Sequence, residues 1–191
     1  MSYHNAIQTP IQNPVGIDKV IEDICLKLSE LSWHEHIFRR AFKIYEVNGK
    51  KLSTKGKAYL RDSNYYDVLS NDNFASMSFI TIDSPEEIND ETNSPSWNKA
   101  RKRNLSVVFW VNLKSIYDLD YVYTELLKRE VEKKLVQVEL IDVVKYYDED
   151  YQQVFKGFDF SPKDSQLLTF PYAGFRFECT AYYGGKPYDC E

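Results

Sequence analysis

The chain has 191 residues, 43% of them hydrophobic and 28% charged, with seven glycines and seven prolines, which excludes collagen-like, low-complexity and wholly disordered classes and suits one ordinary domain. Its net charge of −5 denies it the positive field on which tight nucleic-acid binding depends. The three cysteines, Cys25, Cys179 and Cys190, stand in no metal-ligand spacing, and their odd number argues against a closed disulfide framework.

Residues 1–16 are polar, contain Pro10 and Pro14 and show no sustained period, so they read as an extended arm rather than a signal peptide. No apolar run approaches the roughly 20 residues that a bilayer-spanning helix needs. The expectation is a protein made in the cytosol with no membrane partner. After the arm, Ile17, Val20, Ile21, Ile24, Cys25, Leu28 and Leu31 recur at i, i+3, i+4, i+7, the stripe of an amphipathic helix. Ile37 to Val47 offers a strand with imperfect alternation.

From Asn48 to Arg101 the pattern loosens. Asn48-Gly49 is a turn signal, and Asp, Asn, Ser and Pro recur among scattered aromatics. Only Phe74 to Ile82 reads there as a strand. The stretch 48–101 is therefore expected to be a loop-rich excursion, and excursions of about 50 residues inside a compact domain are usually functional or disordered. Leu105, Val107, Phe109, Val111 and Leu113 alternate with Val108 and Trp110, so this strand has two apolar faces and belongs at the centre of a sheet. A second helical stripe follows from about Asp118 to Leu135. Val138 to Tyr147 suits a short strand or a helix, and Tyr147 to Pro162 a connecting loop. Phe175, Phe177, Cys179, Ala181 and Tyr183 alternate with Arg176, Glu178, Thr180 and Tyr182 in a final strand that ends at Gly184-Gly185. With so few helices between strands, the predicted fold is α+β: an antiparallel sheet with two main helices packed on one face, carrying the arm and the excursion.

The side chains that carry chemistry form no specific motif. His34 and His36 flank Glu35, and on a strand both rings could share a face as metal ligands, but no motif supplies a third. A polar strand entry is the plainer reading. Cys25 and Cys179 fall on apolar faces, where inert packing is the default. Neither a nucleophile elbow nor a phosphate-binding glycine loop occurs. The run Asp148-Glu149-Asp150 reads as a solvated loop, with a carboxylate pair or a cation site as the rarer alternative. No catalytic, metal or cofactor residue is assigned.

Aromatic residues make up 15% of the chain, enough for an aromatic core or for surfaces buried against a partner. Four in the excursion, Tyr65, Tyr66, Phe74 and Trp97, are candidate interface residues. The initial helix, the strand LSVVFWVNL, the helix DYVYTELLKREVEKKL and the terminal strand GFRFECTAYY together resemble the layout of tail-terminator and tail-completion proteins of tailed bacteriophages. YYDVLSNDN and FPYAGFRFE also resemble segments of small virion proteins from phages of gut Bacteroidetes. The resemblance covers about half of the chain, and the excursion departs from the compact family pattern.

That resemblance implies a virion component without enzymatic activity: a ring of 6 or 12 copies at the neck or tail, contacting portal, connector or tail proteins. DNA would pass through its lumen without tight binding. A non-viral adaptor or immunity protein would share the acidity and the missing motifs, and would be monomeric or bind one partner.

Overall fold

The computed structural model describes residues 11–48, 51–59, 65–68, 74–88, 99–117, 123–159 and 168–184. In chain order the elements are α1 (Ile17–Leu28), β1 (His36–Asn48), β2 (Lys51–Tyr59), β3 (Tyr65–Asp67), β4 (Ser76–Ile82), β5 (Glu87–Ile88), β6 (Ala100–Asn112), α2 (Leu113–Ile116), α3 (Glu125–Leu135), β7 (Ile141–Asp148), α4 (Tyr151–Val154) and β8 (Tyr172–Gly184). The strands join in one sheet ordered β3-β2-β1-β4-β6-β8-β7, with the two-residue β5 also paired to β6. All pairs are antiparallel except β1 with β4. The chain is thus an α+β protein.

α1 and α3 cover one face. Val20, Ile24 and Leu28 of α1 and Leu127, Val131 and Leu135 of α3 meet Val107, Phe109, Phe175 and Phe177 of the central strands. Phe109 stacks on Phe175 at 4.9 Å between ring centroids. Leaving such side chains in water would cost about 1.5–3 kcal/mol each, which is what fixes the helices to this face. Glu22 of α1 and Arg39 of β1 form an ion pair within the layer, and both are buried.

The opposite face carries a second core. Phe38, Met77, Phe79, Val108 and Trp110 from the sheet are covered by Val154, Phe155 and Phe158 from α4 and the turn after it. The segment 147–162, expected to be a connecting loop, is therefore a structured cover as far as residue 159. Asp150 caps α4 by accepting a hydrogen bond from the Gln152 amide at 2.9 Å, the usual way to satisfy an exposed helix amide. Gly56 lets this cover approach β2: a Cβ there would lie 2.9 Å from the Phe158 ring.

Two β-bulges explain where alternation breaks down. Registers shift between Ile37 and Arg40 in β1 and between Val143 and Lys145 in β7. Phe38 and Ala41 consequently face the same core, although regular alternation would separate residues three apart. In β7, Val143 packs on the helix-covered core while Tyr146 meets Phe177 at 6.1 Å.

The stretch 48–101 differs most from its sequence reading. Its described residues form β2, β3, β4 and β5 and the start of β6, so much of it is the flank of the sheet rather than a loop. β2 gains its strand conformation from an eight-pair ladder with β1. The second helix also starts later than the stripe suggests, at Glu125; residues 118–122 lie outside the described ones, and α2 provides a separate turn after β6. Residues 1–10 of the arm are likewise outside. At its end, the Ile11 amide donates to Glu22 at 3.2 Å.

Candidate functional site

Two corners of the sheet carry exposed apolar side chains next to charged ones. At the first, β1 and β2 extend as a hairpin. Pairing of β1 with β4 stops at Arg40, whereas Ala41 to Asn48 pair only with β2; eight residues at about 3.3 Å each make an arm of roughly 26 Å. Its base is held by Phe158 against Gly56 and by reciprocal bonds between Thr54 and Asp159, with the Thr54 amide donating to the carboxylate at 2.7 Å. Beyond Thr54 that cover ends. Tyr45, Val47 and Leu52 lie on one face of the tip, Val47 opposite Leu52, and are 66%, 69% and 58% exposed. Between Phe42 and Lys57 the chain carries five lysines and a single acid, Glu46. Lys57 pairs with Glu46, whose carboxyl this hydrogen bond holds below the usual glutamate value.

The second corner lies where α3 passes over β7. A groove of about 500 Å³ opens between them, with Leu126, Tyr146 and Phe177 among its apolar walls and Glu125, Arg129 and Glu132 along the helix side. An adjoining hollow of about 280 Å³ brings Tyr123, Phe170 and Tyr172 close to Asp148 and Glu149. Lys128 sits between Glu125 and Asp148 and pairs with both, its ammonium 5.0 Å from the Tyr146 ring centre. Burial disfavours its charge, but the hydrogen bonds to Asp148 and Glu125 prevail and raise its pKa above the usual lysine value. Its charge is thereby engaged, leaving an excess of carboxylate at this corner. β7 terminates the sheet, paired only to β8 among the described strands, and Val144 and Tyr146 on it are exposed.

Strand direction separates these corners along a diagonal. β4 runs with β1, β6 against β4, β8 against β6 and β7 against β8. β7 therefore runs opposite to β1, and its Tyr146–Asp148 end lies at the end of the sheet where β1 begins. The hairpin tip leaves from the other end.

The four candidate interface residues divide. Tyr65 is exposed, in edge contact with Tyr59 at 5.3 Å. Tyr66 and Phe74 instead pack inward on the second core: Tyr66 stacks on Phe38 at 5.3 Å, and Phe74 lies 3.8 Å from the His36 ring. Trp97 is outside the described residues. The residues missed by sequence reasoning are Tyr45, Val47 and Leu52 at the tip and Leu126 and Tyr146 in the groove. Asn48-Gly49 followed by alternation of Leu52, Thr54, Gly56 and Ala58 with Lys51, Ser53, Lys55 and Lys57 was the available signal for the hairpin.

The polar clusters elsewhere are internally engaged. His34 is buried, with Nδ1 3.1 Å from Ser76 Oγ and Nε2 2.7 Å from Ser78 Oγ. Ser76 donates to the Trp33 carbonyl at 3.1 Å, so Nδ1 carries the proton towards Ser76 and Nε2 accepts from Ser78. Burial, followed by the nearby charge of His36, lowers the His34 pKa to about 3. His36 instead faces Glu35 at 3.4 Å, so the two rings do not converge on a ligand. On the opposite face, Arg176 is 1% exposed and donates to Asp83 at 2.6 Å, while Asp83 also accepts from Thr81 and Ser106. Cys25 and Cys179 are buried, and Cys190 lies outside the described residues. Among the described residues, no three His, Cys, Asp or Glu side chains converge to hold a metal ion, and no helix is long and apolar enough to cross a membrane. The arrangement offers shape, apolar contact and charge at two corners.

No family model matches this sequence, and no curated protein matches it.

Proposed function

We propose that this chain is a structural subunit of a tailed-bacteriophage virion, forming a closed ring at the neck or tail, as a tail terminator or head-tail adaptor. The observation that carries the reading is the diagonal pair of open corners, a lysine-rich hairpin with an apolar tip and a carboxylate-rich apolar groove. Two unlike surfaces on opposite corners favour head-to-tail contact, and heterologous contacts that close by rotation make rings. The resemblance of the segments that form α1, β6, α3 and β8 to terminator proteins is a further ground for the reading. Portal, connector or tail proteins would contact the two rims. A subunit of net charge −5 would let DNA pass with weak, salt-sensitive contact instead of holding it.

Native mass spectrometry of the full chain, followed by electron microscopy, tests this reading. The expected result is a closed ring of about 6 or 12 copies with a central channel. A strict monomer at every concentration, or a simple complex with one partner, would reject the ring and belong to an adaptor or immunity module.

A further inference from the structure

Resting on the ring reading, we infer that the β1–β2 hairpin of one copy docks into the α3–β7 groove of the next copy. The apolar surfaces match in kind. Tyr45, Val47 and Leu52 form a continuous exposed row at the tip, and Leu126, Tyr146 and Phe177 provide apolar walls for it. Anchors of this kind dominate association when they enter a pocket that excludes water.

Charge selects the same pairing. The hairpin sequence has five lysines against Glu46; Lys57 is paired to Glu46 and lies 3.7 Å from Asp67, so the other four supply the positive excess. The groove and adjoining hollow have Glu125, Glu132, Asp148 and Glu149 against Lys128 and Arg129, and Lys128 is already paired to Glu125 and Asp148. Hairpin against hairpin would oppose lysines, and groove against groove would oppose carboxylates. Complementary charge disfavours both symmetric pairings and leaves the unlike one.

The fold makes the contact intermolecular. The tip and the groove lie at opposite ends of the sheet and on opposite sides of β4, β6 and β8, so a chain cannot seat its own hairpin in its own groove. The arm projects along the strand direction, beyond the last pairing of β1 with β4. The outer side of β7 adds a row of backbone groups unpaired by any described strand, beside which an incoming hairpin could align.

Cysteine cross-linking tests the contact in the full chain carrying Cys190→Ser. Val47→Cys in one preparation and Leu126→Cys in another should form a mixed disulfide dimer on mild oxidation, in much higher yield than either preparation alone. Both substitutions in one chain should give a ladder of multimers on a denaturing gel. Because both native positions are exposed in the single chain, each variant should keep the parent's fold, read as an unchanged far-ultraviolet circular dichroism spectrum. As an independent measure, Leu52→Glu should raise the concentration for half-assembly by at least about tenfold, the effect of losing one buried anchor. A closed ring without the ladder and with wild-type assembly of Leu52→Glu would overturn this contact while leaving the proposed function standing. The absence of both ring and ladder would overturn both. A binary complex of the groove with a different protein, without the ladder, would also reject the hairpin as its occupant.

Discussion

Lowering pH from about 7 to 5 should destabilise the protein by about 2 kcal/mol through His34 alone. The ring is neutral between Ser76 and Ser78, and its pKa falls from 6.5 to about 3 on folding, mainly because burial disfavours the cation. In this window the unfolded chain binds a proton that the folded chain does not. Stability is therefore lost as pH falls below the unfolded value, at about 1.4 kcal/mol per unit, until the folded value is reached. From 6.5 to about pH 5 this amounts to about 2 kcal/mol, before most carboxylates titrate. Urea unfolding of the parent and His34→Gln at both pH values isolates the effect, since Gln can hydrogen-bond both serines but does not titrate. The parent should lose about 2 kcal/mol more than the variant. Equal losses in the two proteins would refute the neutral buried ring.

Phe109→Ala should cost about 3–5 kcal/mol in urea unfolding, because it removes the ring stacked on Phe175, whereas Tyr65→Ala at an exposed position should stay within about 0.5 kcal/mol. Asp83→Ala should cost about 3 kcal/mol, since it leaves the buried Arg176 guanidinium with a long 3.5 Å bond to the Lys156 carbonyl and Glu178, 3.9 Å from Nε. In a Cys190→Ser chain, neither Cys25 nor Cys179 should react with a thiol reagent before unfolding. Burial, then Glu22, raises the first pKa far above the ordinary thiol value; burial, then Asp83, raises the second to about 12. Thiol titration in native buffer and in denaturant measures this, and reaction of either under native conditions would contradict its inert packing.

The central fold was legible where each side-chain pattern matched its burial. The two-sided apolar pattern of β6 corresponds to a strand between β4 and β8 with a core on each face. β8 keeps its register with β6 through thirteen residue pairs, so its alternation also survives in the sequence. α1 presents the expected stripe. The flanks were harder because bulges shift β1 and β7 between faces, turning an alternating pattern into an irregular one. Between Leu52 and Tyr59 β2 is small or polar on both faces and depends on its ladder with β1, while the inward placement of Tyr66 and Phe74 depends on Phe38 and His36. The groove is assembled from α3, β7 and β8, a juxtaposition that local periodicity does not encode.

The position of β8 between β6 and β7 also sets a problem for synthesis. Val107 pairs with Phe177, about 70 residues later in the chain, and ribosomes at about 5–20 residues per second need about 4–14 s to cover that interval. Throughout it, one edge of β6 has no native partner, and β7 emerges before the strand that will join it to the sheet. Val107 to Val111 is the kind of apolar segment that self-associates when its edge is open. The cations at Lys99, Arg101, Lys102 and Arg103 flank that segment where gatekeeper charges would keep an unfinished sheet dispersed until β8 arrives.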